Sequence, residues 1–189
     1  MIEELIRQNR SCRRFHQDQP VSRETLLGLV NLARLSASAA NLQPLKYVLS
    51  SEPQQNAHIF SCLAWAGYLK DWPGPAEGER PAAYIVILGD REITTNVGCD
   101  HGIAAQSILL GAREQGLGGC MVGSIKKDRL REMLDLSERY DILLVIALGR
   151  PKEEVVLTDV GSDGSIKYWR DEAGVHYVPK RRLEEIIIK

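Results

Sequence analysis

Residues 100–115 carry Ile103, Ala104, Ala105, Ile108, Leu109, Leu110 and Ala112, so apolar side chains cover most of the circumference of a helix-length stretch. A helix that is apolar nearly all round belongs in a core or in a subunit interface. Asp100 is placed to cap its start, and Gly116 is a natural stop just past its end. The nearly continuous apolar run at 82–89 reads as a buried central strand, and 142–149 as a second one. Two buried strands on either side of a buried helix require a layered fold.

The rest of the chain fills in those layers. Residues 2–9 read as a short helix. Ser22 is a good N-cap for a helix carrying Leu26, Leu29, Val30 and Ala33 on one face. Residues 46–51 read as a strand, and Pro53 opens a helix reaching about residue 66. Pro44 biases Gln43 toward an extended conformation. Residues 71–81 hold three prolines and two glycines and read as a loop, the one stretch open to lid motion, with Tyr68 and Trp72 beside it. A polar surface helix is expected at 126–134, a hairpin with a glycine turn at 168–177, and a terminal strand at 183–188. No G-x-G-x-x-G follows a strand and no Walker A pattern occurs. The irregular alternation predicts an α+β fold, with helices around one sheet and residues 1–189 as a single domain.

Composition excludes several classes. A formal net charge of −1, with 26% charged and 44% hydrophobic residues, gives no global signature of nucleic-acid binding. The four cysteines form no C-x-x-C pair, and their spacing with histidines matches no zinc site. The start, Met1-Ile2-Glu3-Glu4, lacks the apolar core of a signal peptide. No uncharged run approaches the roughly 18 residues of a membrane span. The expectation is a cytoplasmic protein with reduced thiols, no membrane partner and no bound metal.

Positive charge is nonetheless clustered at the two ends of the chain. Arg10, Arg13 and Arg14 surround Ser11, while Lys180, Arg181 and Arg182 lie near the C-terminus. Guanidiniums and a hydroxyl within one turn offer charge-assisted donors suited to a phosphate. A second motif, Ser36-Ala37-Ser38-Ala39-Ala40-Asn41-Leu42-Gln43-Pro44, presents small residues and then an amide pair. Each amide carries donors and an acceptor, which suits the edge of a heteroaromatic ring. A phosphate grip with a ring-edge reader points to a bound nucleotide or flavin. Each motif also has a plain structural reading, in surface salt bridges or in a capped turn. The four histidines show no triad or ligand spacing, and no nucleophile–base pair stands out. Chemistry carried by a cofactor, with the protein supplying position and electrostatics, fits that absence.

Four stretches, in order, resemble the nitroreductase family of flavin mononucleotide (FMN) oxidoreductases. They are Arg10-Ser11-x-Arg13-x-Phe15, then Ser36-Ala37-Ser38-x-x-Asn41-x-Gln43-Pro44, then Asp100-x-Gly102-x-Ala104-x-Gln106 through Gly118, and last Pro179-Lys180-x-Arg182-Leu183. The family often has Pro where Ala37 stands and an aromatic where Leu45 stands. The resemblance implies a mostly antiparallel central sheet flanked by helices, and an obligate homodimer that exchanges its C-terminal strands. It implies that Arg10, Ser11, Arg13, Lys180 and Arg182 hold the FMN phosphate and ribityl chain. Ser38, Asn41 and Gln43 would meet the ring edge, and the backbone at Val122 and Gly123 would approach the ring. It implies NADH or NADPH as donor, and a small electron-poor acceptor such as a nitroaromatic or quinone, reduced by a ping-pong mechanism. Flavin reduction, dehalogenation or dehydrogenation are alternatives within the family. A non-catalytic flavin-binding or storage protein is the alternative outside enzymes.

Overall fold

Every residue of strand β3 (Ala83–Asp90) is buried, and the two-residue period of the strand sorts its side chains into two cores. Ile85 and Ile87 join Leu26 and Leu29 of α2 (Arg23–Leu35) and Ala105 and Ile108 of α4 (Asp100–Glu114). Tyr84, Val86 and Leu88 join Ile59 of α3 (Pro53–Ser61) and Leu130 of α5 (Lys127–Met133). Helices therefore cover both faces of the central sheet. The structure, a computed structural model, describes residues 1–69 and 71–188.

The central sheet runs β2 (Leu45–Ser50), β3, β5 (Tyr140–Pro151), β4 (Gly118–Val122), with β1 (Phe15–His16) on the far end of β5; all pairs are antiparallel. A register shift between Ile87 and Leu88 marks a bulge in the β3–β5 pairing. The expectation of one sheet is corrected. β6 (Val155–Asp159), β8 (His176–Lys180) and β7 (Trp169–Arg170) form a second sheet, with β6 and β8 parallel. The predicted hairpin pairs with β6 through β8. Its turn contains Gly174 at φ +83°.

α4 packs closely on α2: a Cβ at Gly111 would lie 2.2 Å from a methyl of Leu32 and 3.3 Å from one of Leu29. Ile103, also on α4, is exposed. Gly116 stops the helix at φ +74°, as expected. Ser22 caps α2 by accepting from the Thr25 N–H at 3.0 Å. Among the described residues, no helix is long and apolar enough to cross a membrane.

Four local expectations are overturned, each by a partner distant in sequence or by a competing local bond. The helix from Pro53 ends at Ser61 rather than near 66. There the Ala64 N–H donates to the Ser124 carbonyl and the Lys126 N–H to the Cys62 carbonyl, which pulls the chain into a short pairing. Gln43 takes a left-handed φ of +51°, because its N–H donates to Ser38 Oγ at 2.9 Å. Asp100 lies inside the first turn of α4 with Cys99 as N-cap, and its carboxylate accepts from Ser38 Oγ (2.6 Å) and the Ala39 N–H (3.0 Å). The expected terminal strand is the short helix α6 (Leu183–Ile186), closed at its start by the Arg182 N–H donating to Glu185.

The segment at 71–81 is pinned at three points. Glu79 pairs with Arg14 (2.6 Å) and Lys152 (3.1 Å). Gly74, at φ +119°, lies against the Trp65 indole, where a Cβ would come within 2.6 Å. The Arg170 guanidinium sits 4.4 Å from the centre of the Trp72 ring.

Candidate cofactor site

The segment between α1 (Ile2–Gln8) and β1 is threaded along β4. Ser11 forms a parallel bridge with Gly119, and the Cys12 N–H donates to the Gly119 carbonyl at 2.9 Å. Close packing explains two glycines of β4, Gly118 against β5 and Cys12, and Gly119 against β5 and α4. A Cβ on Gly118 would lie 2.8 Å from the Pro151 ring, and one on Gly119 would lie 2.7 Å from the Ala147 carbonyl oxygen. Glu153 anchors the other side of the segment. Its carboxylate, with no exposed surface, accepts from the backbone N–H groups of Arg13 and Arg14 and from Arg170 Nη2 at 2.7 Å.

The segment so held lines a cavity of about 290 Å³ together with the C-terminal sheet. Arg10, Ser11 and Arg13 face it from one end of the chain, and His176, Val178 and Lys180 from the other. Among the described residues, Arg10, Arg13 and Lys180 form no ion pair, and no carboxylate lines the cavity. Arg10 donates to the Ile6 carbonyl at 2.8 Å, but its Nε is buried without a partner, and burial lowers its pKa. The Arg13 guanidinium lies 5.0 Å from the centre of the Tyr168 ring. Three cations around one space, with no internal counter-charge, are the complement of a phosphate-sized anion. Arg14 differs, because both carboxylate oxygens of Glu79 hold it at 2.6–2.7 Å.

A second cavity, of about 140 Å³, shares Arg13, Met121 and Tyr168 with the first and adds Trp65, Val122 and Gly123. A Cβ at Gly123 would meet nothing within 4 Å, and its φ lies outside the left-handed region. Nothing inside the chain therefore requires glycine there, and the space beside its backbone is open to a ligand. Together the two cavities fall in the range of small-molecule sites. Burial raises the Cys12 thiol to about 12 and pushes the Cys120 thiol up as well, so both stay protonated at neutral pH.

The amide motif lies elsewhere in the single chain. Ser36, Ser38 and Gln43 line a separate cavity of about 220 Å³ with Lys46 and Asp100. Asn41 is exposed at φ +54°, and its Oδ1 accepts from Gln43 Nε2 at 3.1 Å. Arg182 caps α6 and lines neither arginine-bearing cavity. The structure thus unites Arg10, Ser11, Arg13 and Lys180, places Val122 and Gly123 next to them, and leaves Ser38, Asn41, Gln43 and Arg182 apart. Sequence reasoning missed His176, Tyr168 and Glu153. For His176 a signal existed: stepping back from Lys180 by twos along a strand reaches Val178 and then His176 on one face.

Residues 6–150 match the Nitroreductase family profile. An FMN-dependent nitroreductase of Clostridium difficile R20291 superposes with a TM-score of 0.66 at 26% identity, covering 82% of this chain and 89% of its own. The NADPH:FMN oxidoreductase of Vibrio harveyi, solved with NAD+, gives 0.62 at 26% identity over 79% and 68% of the two chains. A nitroreductase family protein of Streptococcus pneumoniae TIGR4 shares the fold over 100% of both chains, with a TM-score of 0.72 at 19% identity. With the family profile spanning most of the sequence and the same fold in these relatives, the chain belongs to the nitroreductase family.

Proposed function

We propose that residues 1–189 act as one FMN-dependent NAD(P)H oxidoreductase that reduces an electron-poor acceptor of nitroaromatic or quinone type. The observation that carries this reading is the three-cation cavity, continuous with an open backbone face at Gly123. FMN supplies the redox chemistry when bound, taking a hydride from the nicotinamide and passing it on. Arg10, Ser11, Arg13 and Lys180 hold the phosphate and the ribityl chain. The backbone at Val122 and Gly123 presents fixed dipoles toward the ring, a preorganised form of charge stabilisation. Cys12 and Cys120 keep their protons at neutral pH and no side chain among the described residues of these two cavities is poised as an acid, so protons for the acceptor come from solvent.

Hydride transfer requires donor and ring about 3–3.5 Å apart, so nicotinamide and acceptor use the same open face in turn. Anaerobic NADH or NADPH is therefore expected to bleach the yellow protein. Double-reciprocal plots against an acceptor such as a quinone should be parallel. Protein that stays yellow under NAD(P)H contradicts the enzyme reading and favours storage, and intersecting lines contradict the shared face.

The separate position of Ser38, Asn41 and Gln43 is accounted for by a homodimer in which this motif meets the ring held by the partner subunit. Exposed apolar residues support an interface: Leu27, Leu32 and Leu35 on α2, Ile103 on α4, and Leu183, Ile186, Ile187 and Ile188 in the tail. Truncation after Lys180 is expected to cost dimerisation and bound flavin together, read by analytical ultracentrifugation and absorbance. A truncated protein that remains dimeric and yellow refutes this assembly.

A further inference from the structure

We propose that His176 is a phosphate-binding residue of this site, its imidazole donating a ring N–H to the cofactor's phosphate monoester beside Arg10, Arg13 and Lys180. The proposal rests on the flavin reading above and adds to it a residue outside the span matched by the family profile.

His176 is 1% exposed, and both of its ring nitrogens are buried with no hydrogen-bond partner among the described residues. Leaving a buried donor unpaired is costly, and native structures leave few such groups without a partner. No acceptor among the described residues makes a hydrogen bond with either ring nitrogen. The Tyr168 ring packs against it at 5.2 Å between centroids, and Tyr168 in turn lies under the Arg13 guanidinium. The charge of Glu153 acts on it, but the hydrogen bonds of that carboxylate go to the N–H groups of Arg13 and Arg14 and to Arg170. An anion bound in the cavity that His176 shares with Arg10, Arg13 and Lys180 supplies the acceptor that the described residues leave unfilled.

The protonation state suits the role. Burial, reinforced by the positive charges of Arg13 and Arg170 and opposed by Glu153, pushes His176 down to about 4. At neutral pH the ring carries one donor and one acceptor. A phosphate accepts from the donor nitrogen. A neutral ring adds a directional contact without adding a fourth positive charge to the crowded cluster. Its position on β8, with Lys180 on the same face, links that contact to the phosphate end of the cofactor.

The test compares FMN with riboflavin, which lacks the phosphate, on full-length apoprotein by quenching of flavin fluorescence. A hydrogen bond to an ionised group is worth roughly ten- to hundredfold in affinity. His176→Phe is expected to lose about tenfold or more for FMN while its riboflavin affinity stays within about threefold of wild type. His176→Gln, which keeps an amide donor, should recover most of that loss. FMN affinity within about threefold of wild type in His176→Phe, or equal losses for both flavins, overturns the proposal. A readout independent of any variant is the ring ¹⁵N shifts of His176 in the wild type: they should move on adding FMN and much less on adding riboflavin. Ring signals indifferent to FMN also overturn it. Wild-type protein that binds neither flavin defeats the cofactor reading itself. Inorganic phosphate then decides the residue: thermal stabilisation by phosphate should be lost in His176→Phe, and equal stabilisation overturns the assignment.

Discussion

Arg13→Ala is expected to weaken FMN binding by about 2–4 kcal/mol, the range for losing a desolvated, charge-assisted partner. Arg14→Ala should leave the affinity nearly unchanged. The two residues are adjacent in sequence and carry the same charge, so only their surroundings separate them. Arg13 has no carboxylate partner among the described residues, and its guanidinium lies over Tyr168 at the junction of the two cavities. Its backbone is fixed by Glu153, so the side chain is presented from a rigid base. Arg14 is bound through both carboxylate oxygens of Glu79 and raises that carboxylate's acidity, holding it near 2 with help from Lys152. Arg14→Ala should therefore appear as lower stability of the 71–81 segment. Titration of both variants with FMN, each checked by circular dichroism, separates the cases. Equal losses in the two variants would show that the arginine cluster acts only through its summed field.

The legible parts of this chain were those set by local pattern. The buried strand at 82–89, the nearly all-apolar helix from Asp100 and the glycine-turned hairpin all appear where periodicity and turn chemistry placed them. What escaped was decided by contacts across the chain or by hydrogen bonds that periodicity does not encode. Gln43 has a proline after it, yet the hydroxyl of Ser38 draws its backbone into a left-handed turn. Asp100 looks like an N-cap, yet it is buried and gripped by Ser38 and Ala39. The isoleucines near the C-terminus suggest a strand, but the Arg182–Glu185 cap closes a helical turn that takes in Ile186.

The site divides in the same way. Arg10, Ser11, Arg13 and Lys180 announce themselves as clustered charge or motif, and they converge on one cavity. His176 reads as one histidine among four, and Glu153 as part of a charged run, Lys152-Glu153-Glu154, that looks like solvated surface. Both take their meaning from being buried against the arginine segment. A single sequence does not display that tertiary fact.

Glu153 carries the other large expected effect. Its side chain has no exposed surface and serves three donors at once: the N–H groups of Arg13 and Arg14 and the guanidinium of Arg170. Glu153→Ala would leave the mostly buried Arg170 charge without its counter-ion and two backbone donors without an acceptor. Removing one partner of a buried pair destabilises by about 3–5 kcal/mol, because the remaining charge is uncompensated. For a chain of this length that corresponds to a drop in melting temperature on the order of 10 °C. Glu153→Gln should fall between this variant and wild type. Its amide oxygen can still accept from the backbone donors, but its NH₂ group faces Arg170 without attraction. Because the same carboxylate sets the backbone of Arg13, the glutamine variant should also bind FMN more weakly than its modest loss of stability implies. Chemical denaturation of both variants, with FMN titration of the glutamine form, checks the chain of effects. A Glu153→Ala protein as stable as wild type would show that Arg170, stacked on Trp72, needs no carboxylate. The phosphate grip would then be positioned by the Ser11–Gly119 bridge and the Cys12–Gly119 hydrogen bond alone.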